Sequence, residues 1–326
     1  MTEDNNQSET IADFFKTSTC YDMMPDSGRV IVVDNTMSLY RIWRTLADNS
    51  VTHALVWDAI LMKYTGIWTG KDIMSSFLMV YDHFVRDKPQ SSHIFHYLDN
   101  IILKDWMHQY DSGRGLLFVR PEMSLSETTQ ILLENDIHRI PVMKQSSDAE
   151  SLIFTVTFSR LIRHLVSRFR LPSQVLDTPV NELEGFYVDE NCPTVRGSTL
   201  VLDAVRILTD RHISAIPIVD DDDHVISLIS KNDFIRLSRA LPSTLGDMGT
   251  VKLEDVLVVQ AEDTRMICRP PSVLFGEVIK LVAEQHLTRV IIVDDAGKLK
   301  FVISLRHILG YLTRSTFAAN EDVPME

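Results

Sequence analysis

Hydrophobic and polar positions along this chain repeat one pattern four times. Each copy opens with an amphipathic run of helical period and continues into a short apolar strand. A second strand, closed by Ser or Thr, follows about twenty residues later. The first strands start at Val51 (VTHALVWD), Ile137 (IHRIPVMK), Ile213 (ISAIPIVD) and Leu287 (LTRVIIVD), spaced by 86, 76 and 74 residues. The second strands end at Thr69, Thr157, Ser230 and Ser304. Copy three is the plainest. Leu200, Val201, Ala204, Val205, Ile207 and Leu208 have helical spacing, with Ser198 or Thr199 as the expected N-cap. Residues 216–219 and 225–229 then read as buried strands around an acidic turn, and Ser230 opens the helix KNDFIRLSRA. Copies two (Ser124 to Leu165) and four (Ser272 to Leu312) follow the same plan.

A period near 75 is too long for an ordinary solenoid, so each copy reads as a small α/β subdomain. A unit of roughly 60 residues is marginal alone. Adjacent copies are therefore expected to pair through their sheets and helices, giving two pairs. The segment LPSQVLDTPVNELEG after Arg170 carries two prolines and no long apolar run, which places the boundary between the halves there. The fold class is α/β (α+β), with halves at about 20–170 and 183–314. The longer first interval reflects a polar insertion, HFVRDKPQSSHIFHYLDN, before the helix-like IILKDWMHQY. Ile101, Ile102, Leu103, Trp106 and Met107 in that run offer more apolar surface than a connector needs.

Composition narrows the function classes. The chain of 326 residues is 45% hydrophobic, enough for real cores, and has no apolar run near 18 residues, so no membrane span is expected. Residues 1–18, polar and acidic at their start, read as a disordered tail without a secretory signal. Cys20, Cys192 and Cys268 are far apart and in no metal spacing, which points to a reducing compartment. A net charge of −13 opposes binding to a nucleic-acid backbone. A phosphate-bearing ligand would need a local basic pocket in an acidic body.

Three residues after each closing Ser or Thr stand Asp72, Arg160, Asp233 and His307. The spacing S/T-x-x-D has two readings. One is a capping box, in which hydroxyl and acid satisfy free amides of the helix start. The other is an open pocket whose amides and hydroxyl face a ligand, with the carboxylate taking two hydroxyls of a ribose.

The pattern h-x-x-h-P-V-h-D followed by G-h-h-T-x-x-D-h resembles the cystathionine β-synthase (CBS) motif, two of which form a Bateman module. CYDMMPDSGRVIVVD, NDIHRIPV, ISAIPIVD with SKNDF, and VISL in copy four together resemble the γ regulatory subunits of AMP-activated protein kinase, from about Thr19 to Leu312. The resemblance implies CBS repeats at 19–85, 108–172, 183–242 and 254–314, paired into two Bateman modules packed as a pseudo-symmetric disc. It implies a non-catalytic subunit that binds AMP, ADP or ATP and senses energy state. Implied partners are a kinase α catalytic subunit and a β scaffold subunit, without which the chain would be poorly soluble. The implied location is the cytoplasm, with the nucleus as a second compartment, and no role with nucleic acid or membrane. An alternative is a structural γ-like subunit that has lost much of its sensing. A CBS-regulated enzyme such as an IMP dehydrogenase relative is disfavoured, because the repeats leave no room for a catalytic domain.

The resemblance also assigns residues. Asp72 and Asp233 match the family's ribose carboxylates, Arg160 matches its unused repeat, and His307 departs from the pattern. The first cleft would comprise Thr69, Asp72, His138 and Arg139. The third would comprise Ser214, Ala215, Ser230, Lys231 and Asp233, with Arg289 from the opposite module. The fourth, with Ser304 but His307, would bind weakly. The phosphate side is thinned: Thr52, Ser159, His212 and Thr288 stand where the family carries basic residues or a different one, and LEDVLVVQAED holds no basic residue.

Other features read as structural. Arg163, His164, Arg168 and Arg170 lie on a solvated helix face. His93 and His96 lack further ligands for a metal. Gly113 and Gly115 form a turn, and Trp43 and Trp106 are core or interface residues. HExxH, GxSxG and GxxxxGK[ST] motifs do not occur.

Overall fold

The computed structural model describes residues 10–26, 30–85, 94–110, 115–145, 150–186, 191–240, 250–255 and 267–314. Chain order begins with α1 (Ile11–Thr17) and copy one: β1 (Val32–Asp34), α2 (Leu39–Asp48), β2 (His53–Asp58), β3 (Lys63–Thr69) and α3 (Gly70–Val80). Helices α4 (Ile94–Asn100) and α5 (Leu103–Tyr110) lead to copy two: α6 (Leu125–Glu134), β4 (Arg139–Gln145), β5 (Glu150–Thr157) and α7 (Phe158–Arg168). After α8 (Ser173–Leu176), copy three holds β6 (Val195–Arg196), α9 (Val201–Asp210), β7 (Ala215–Val219), β8 (Val225–Ser230) and α10 (Lys231–Ala240). Copy four holds β9 (Cys268–Arg269), α11 (Phe275–Glu284), β10 (Arg289–Val293), β11 (Leu299–Ser304) and α12 (Leu305–Leu312). Each copy centres on one antiparallel hairpin, and in copies one, three and four a parallel strand joins it.

One backbone device recurs in every copy. The first helix ends on a non-glycine residue in the left-handed region: Ser50 (φ 53), Asp136 (φ 52), His212 (φ 55) and His286 (φ 56). In copy one the Val51 amide bonds the Leu46 carbonyl, and in copy two the Ile137 amide bonds that of Leu132. This closure turns the chain from helix into strand and satisfies carbonyls that would otherwise be orphaned. Helix starts are capped less uniformly. Ser38 and Ser124 cap α2 and α6, whereas copy three uses Leu200 in place of the expected Ser198 or Thr199.

The lead-in segments are exchanged between neighbouring copies. Residues before copy one bond to copy two (Cys20 amide to Met123 carbonyl, Leu125 to Ser18, both 2.9 Å), and residues before copy two bond to copy one (Leu39 to Ile101, Leu103 to Met37, both 2.9 Å). The second half repeats this: Phe275 bonds Thr178 and Val180 bonds Val273, while Val201 bonds Val251 and Leu253 bonds Thr199, all at 2.9 Å. Thr19–Met23, expected in copy one, therefore sit on copy two, and Val180 and Leu183 belong to the core of copy four. The expected tail at 1–18 is corrected too. Thr10 and Asp13 form a capping box, and Phe14 and Phe15 of α1 are buried. Residues 1–9 lie outside the described residues.

Reciprocal exchange interlocks copies one with two and three with four, as Bateman modules. Helices then join alternate copies, which corrects the expectation that adjacent copies share helices. Copies one and three share one core, where Trp43 stacks on Phe234 at 5.5 Å and Phe77 meets Phe234 at 5.3 Å. Copies two and four share the other, through α7 against α11 and α12. Between the sheets of copies three and four lies only a small core of Ala215, Leu228 and Ile291. The large apolar stripes are on the helices, so the helices carry most of the burial that joins the modules. The apolar run of α5 is likewise consumed inside: Leu103 is fully buried and Trp106 packs edge-on to Trp68. It leaves less free surface than the sequence suggests.

Candidate functional site at the centre of the four repeats

The closing helices start near one another. A Cβ on Gly70, the first residue of α3, would approach Ile235 to 3.0 Å and the Lys231 Cβ to 3.7 Å, so copies one and three meet at their strand-to-helix junctions. At each junction the capping box is formed. Asp72 Oδ2 accepts from the Thr69 amide (2.7 Å) and hydroxyl (2.6 Å), and Asp233 Oδ2 accepts from the Ser230 amide (2.8 Å) and hydroxyl (2.5 Å). His307 does the same with its ring, Nδ1 accepting from the Ser304 amide at 3.2 Å. A carboxylate has a second oxygen, so capping and ligand binding are compatible at Asp72 and Asp233, while His307 has turned its one acceptor inward. Arg160 differs: it donates to the Met23 carbonyl at 3.3 Å and lies over the Phe154 ring.

Two arginines answer each other across the pseudo-symmetry. Arg139 donates to Thr52 Oγ1 at 2.9 Å and Arg289 to Ser214 Oγ at 2.9 Å. Each reaches from the second copy of a module to the first, so Arg289 enters the third cleft from its own module, not the opposite one. Burial lowers both pKa values to about 10. Neither has a carboxylate within ion-pair distance among the described residues. Asp233 acts on Arg289 only at longer range.

Further basic groups adjoin them. Burial, then Lys71, pushes Lys231 down to about 8, with Asp136 and Asp72 opposing. Burial, then Arg139, pushes His138 down to about 4, so the ring is neutral at pH 7; its ring packs edge-on to Phe158. The Lys231 amide is held by the Ser214 carbonyl at 3.2 Å. Arg139, Lys231, Arg289 and Arg306, with the neutral His138 among them, thus form a basic hub inside a chain of net charge −13. Such a hub can hold the oxygens of a phosphate with charge-assisted hydrogen bonds.

Of the residues singled out from sequence, Thr69, Asp72, His138, Arg139, Ser214, Ser230, Lys231, Asp233, Arg289 and Ser304 lie at these junctions and strand starts. Ala215 does not line the cleft with its side chain, which packs in the inter-sheet core. Lys71, Arg306, Asp136 and His53 were missed. His53 occupies the strand position that holds Arg139 and Arg289 in other copies. Its Nδ1 is buried without a hydrogen-bond partner, and burial, then Arg139, lowers its pKa to about 3. Aligning the copies residue by residue exposes this column. His93, Gly113 and most of LEDVLVVQAED lie outside the described residues. Among the described residues no group of His, Cys, Asp and Glu could hold a metal, and no helix is long and apolar enough to cross a membrane. A cavity of about 370 Å³ between α3 and α5, lined by Met79, Trp106 and Tyr110 among others, includes none of the hub residues.

Residues 111–167 and 182–240 match the CBS domain family. The chain is 26% identical over 323 residues to the γ subunit of 5'-AMP-activated protein kinase from Dictyostelium discoideum, covering 96% of this chain and 54% of that protein. It is 27% identical over 315 residues to the γ-3 subunit from Bos taurus, covering 93% and 59%. The chain spans only a little over half the length of these relatives. Its fold is similar to a Methanocaldococcus jannaschii protein, named as a candidate archaeal homolog of γ-AMPK, with TM-score 0.69, 16% identity and coverage of 90% and 99%. A conserved protein from Pyrococcus horikoshii aligns with TM-score 0.52 and 15% identity, covering 90% and 100%. Two stretches of the chain thus match CBS domains, and along most of its length it is similar to γ subunits of 5'-AMP-activated protein kinase.

Proposed function

We propose that the hub binds the phosphates of AMP, ADP or ATP, and that the chain is a non-catalytic, energy-sensing regulatory subunit of an AMP-activated protein kinase heterotrimer. The observation that carries this reading is the pair Arg139 and Arg289, two guanidinium groups lowered by burial and each bonded to one hydroxyl. Buried charge without a counter-ion is costly, so an anionic ligand is the natural complement. Asp72 with Thr69 would take the ribose in the first cleft, with His138 and Arg139 at the phosphate. Asp233, Ser230, Ser214, Lys231 and Arg289 would do so in the third. The fourth cleft, with Ser304 and an inward-turned His307, would contribute little. That the relatives are γ subunits of a kinase supports kinase α and β subunits as partners, and the reading carries with it a cytoplasmic location, with the nucleus second.

The capping boxes favour a second reading, a structural γ-like subunit with reduced sensing, because Asp72 and Asp233 already serve their own helix starts. Co-expression with kinase α and β subunits separates the readings. The sensing subunit gives a heterotrimer whose kinase activity changes with AMP and loses that response in Arg139→Gln with Arg289→Gln. A heterotrimer indifferent to AMP supports the structural reading, and failure to assemble overturns both.

A further inference from the structure

We propose that Asp136 is a built-in counter-anion of the hub and makes it prefer ligands with few phosphates; this rests on the nucleotide reading above. Asp136 is the left-handed residue that closes α6, and its side chain opens outward, 69% exposed. Arg306, the second residue of α12 in copy four, reaches across the module boundary to it. Its Nη1 donates to Asp136 Oδ1 at 2.5 Å and its Nη2 to the Leu133 carbonyl at 2.7 Å. One guanidinium thereby closes the C-terminal end of a helix from the other module and is held by a carboxylate already present.

The same carboxylate also acts on two other members of the hub, His138 and Lys231. It favours their charged forms, against the burial that lowers both. The equivalent position holds Ser50 in copy one, His212 in copy three and His286 in copy four, so copy two alone places an acid there. An entering phosphate must compete with Asp136 for Arg306 and approach fixed negative charge. That penalty grows with the charge of the ligand, so a triphosphate suffers more than a monophosphate. Exposure of Asp136 screens the effect, which makes it several-fold instead of many orders of magnitude.

The test is titration of the full chain, wild type and Asp136→Asn, with AMP and with ATP at low and high salt. Asn tolerates the left-handed backbone and keeps the shape of the side chain. The variant is expected to bind ATP about five- to tenfold more tightly and AMP about two- to threefold, the difference shrinking with salt. Asp136→Ser, which places there the residue that copy one carries, moves the ATP-to-AMP ratio the same way and covers the case of an unfolded Asn variant. An unchanged ratio in the folded variants overturns the inference and leaves nucleotide binding intact. Binding of ATP by the folded variants and not by the wild type supports it most strongly. Absence of binding in all three proteins overturns both proposals.

Discussion

Arg289 donates to Ser214 Oγ at 2.9 Å, and neither residue belongs to the same repeat. Arg139 and Thr52 form the same bond in the other module, also at 2.9 Å. A single hydroxyl does not balance a buried guanidinium, and on the proposed reading an anion supplies the missing charge at both arginines. Replacing Arg289 with Met should therefore leave the ligand-free protein as stable as wild type or more so, by about 1 kcal/mol. It should weaken nucleotide binding at the third cleft by roughly 10- to 100-fold, as loss of a charge-assisted contact requires. Thermal melts with and without AMP check both halves. A strongly destabilised apo variant would mean that the arginine is structural.

The closing-helix residues separate capping from binding. Asp72→Ala, Asp233→Ala and His307→Ala each remove a capping box and should each cost about 0.5–2 kcal/mol in urea unfolding. Only the two Asp variants should also lose nucleotide affinity, about 5- to 150-fold, or on the order of 1–3 kcal/mol. Loss of binding in His307→Ala with Asp233→Ala intact would reverse the site assignment.

Ser50 sits at φ 53, and its amide bonds the Ala47 carbonyl at 3.0 Å. Glycine adopts that conformation without the Cβ penalty. Ser50→Gly should stabilise the protein by about 0.5–1 kcal/mol, read as a higher urea midpoint. A lower midpoint would show that the serine side chain is needed.

Acid should unfold the protein early. His53 and His138 have folded-state pKa values of about 3 and about 4, below the usual 6.5, with burial the main cause. The unfolded chain therefore takes up protons that the folded chain refuses. Their stability contribution is complete above pH 6.5 and is lost as pH falls through 6.5 toward 4 and 3. His53→Leu should flatten that slope in urea midpoints measured between pH 7 and 4; an unchanged slope would assign it to other groups.

Trp43 is 2% exposed and stacks on Phe234 of copy three, so the core that joins the modules runs through it. Trp43→Ala should cost about 3–5 kcal/mol.

Much of the fold was legible because burial on a hairpin and an amphipathic helix leaves a period-specific trace, and four copies make it unambiguous. Ile216 to Val219 and Val225 to Ile229 read as strands and are strands. The exchanged lead-ins were not legible. Main-chain bonds such as Leu39 to Ile101 impose no side-chain pattern, so Thr19–Met23 looked like part of copy one. Which copies share a core was hidden for a related reason: Trp43 announces a partner aromatic without saying which. At the site, Asp72, Asp233 and the two arginines stood out by position in the repeat. Asp136 and Arg306 did not, since their pairing depends on two modules meeting across 170 residues of chain.

The central claim is that the hub is an anion site for adenine nucleotides. The direct test is isothermal titration of AMP, ADP and ATP into the full chain in its assembled form, beside the Arg139→Gln, Arg289→Gln double variant. The account predicts saturable binding at about two sites in the wild type, with the heat lost in the double variant while its fold persists. Equal binding by both proteins, or none by the wild type, would contradict it.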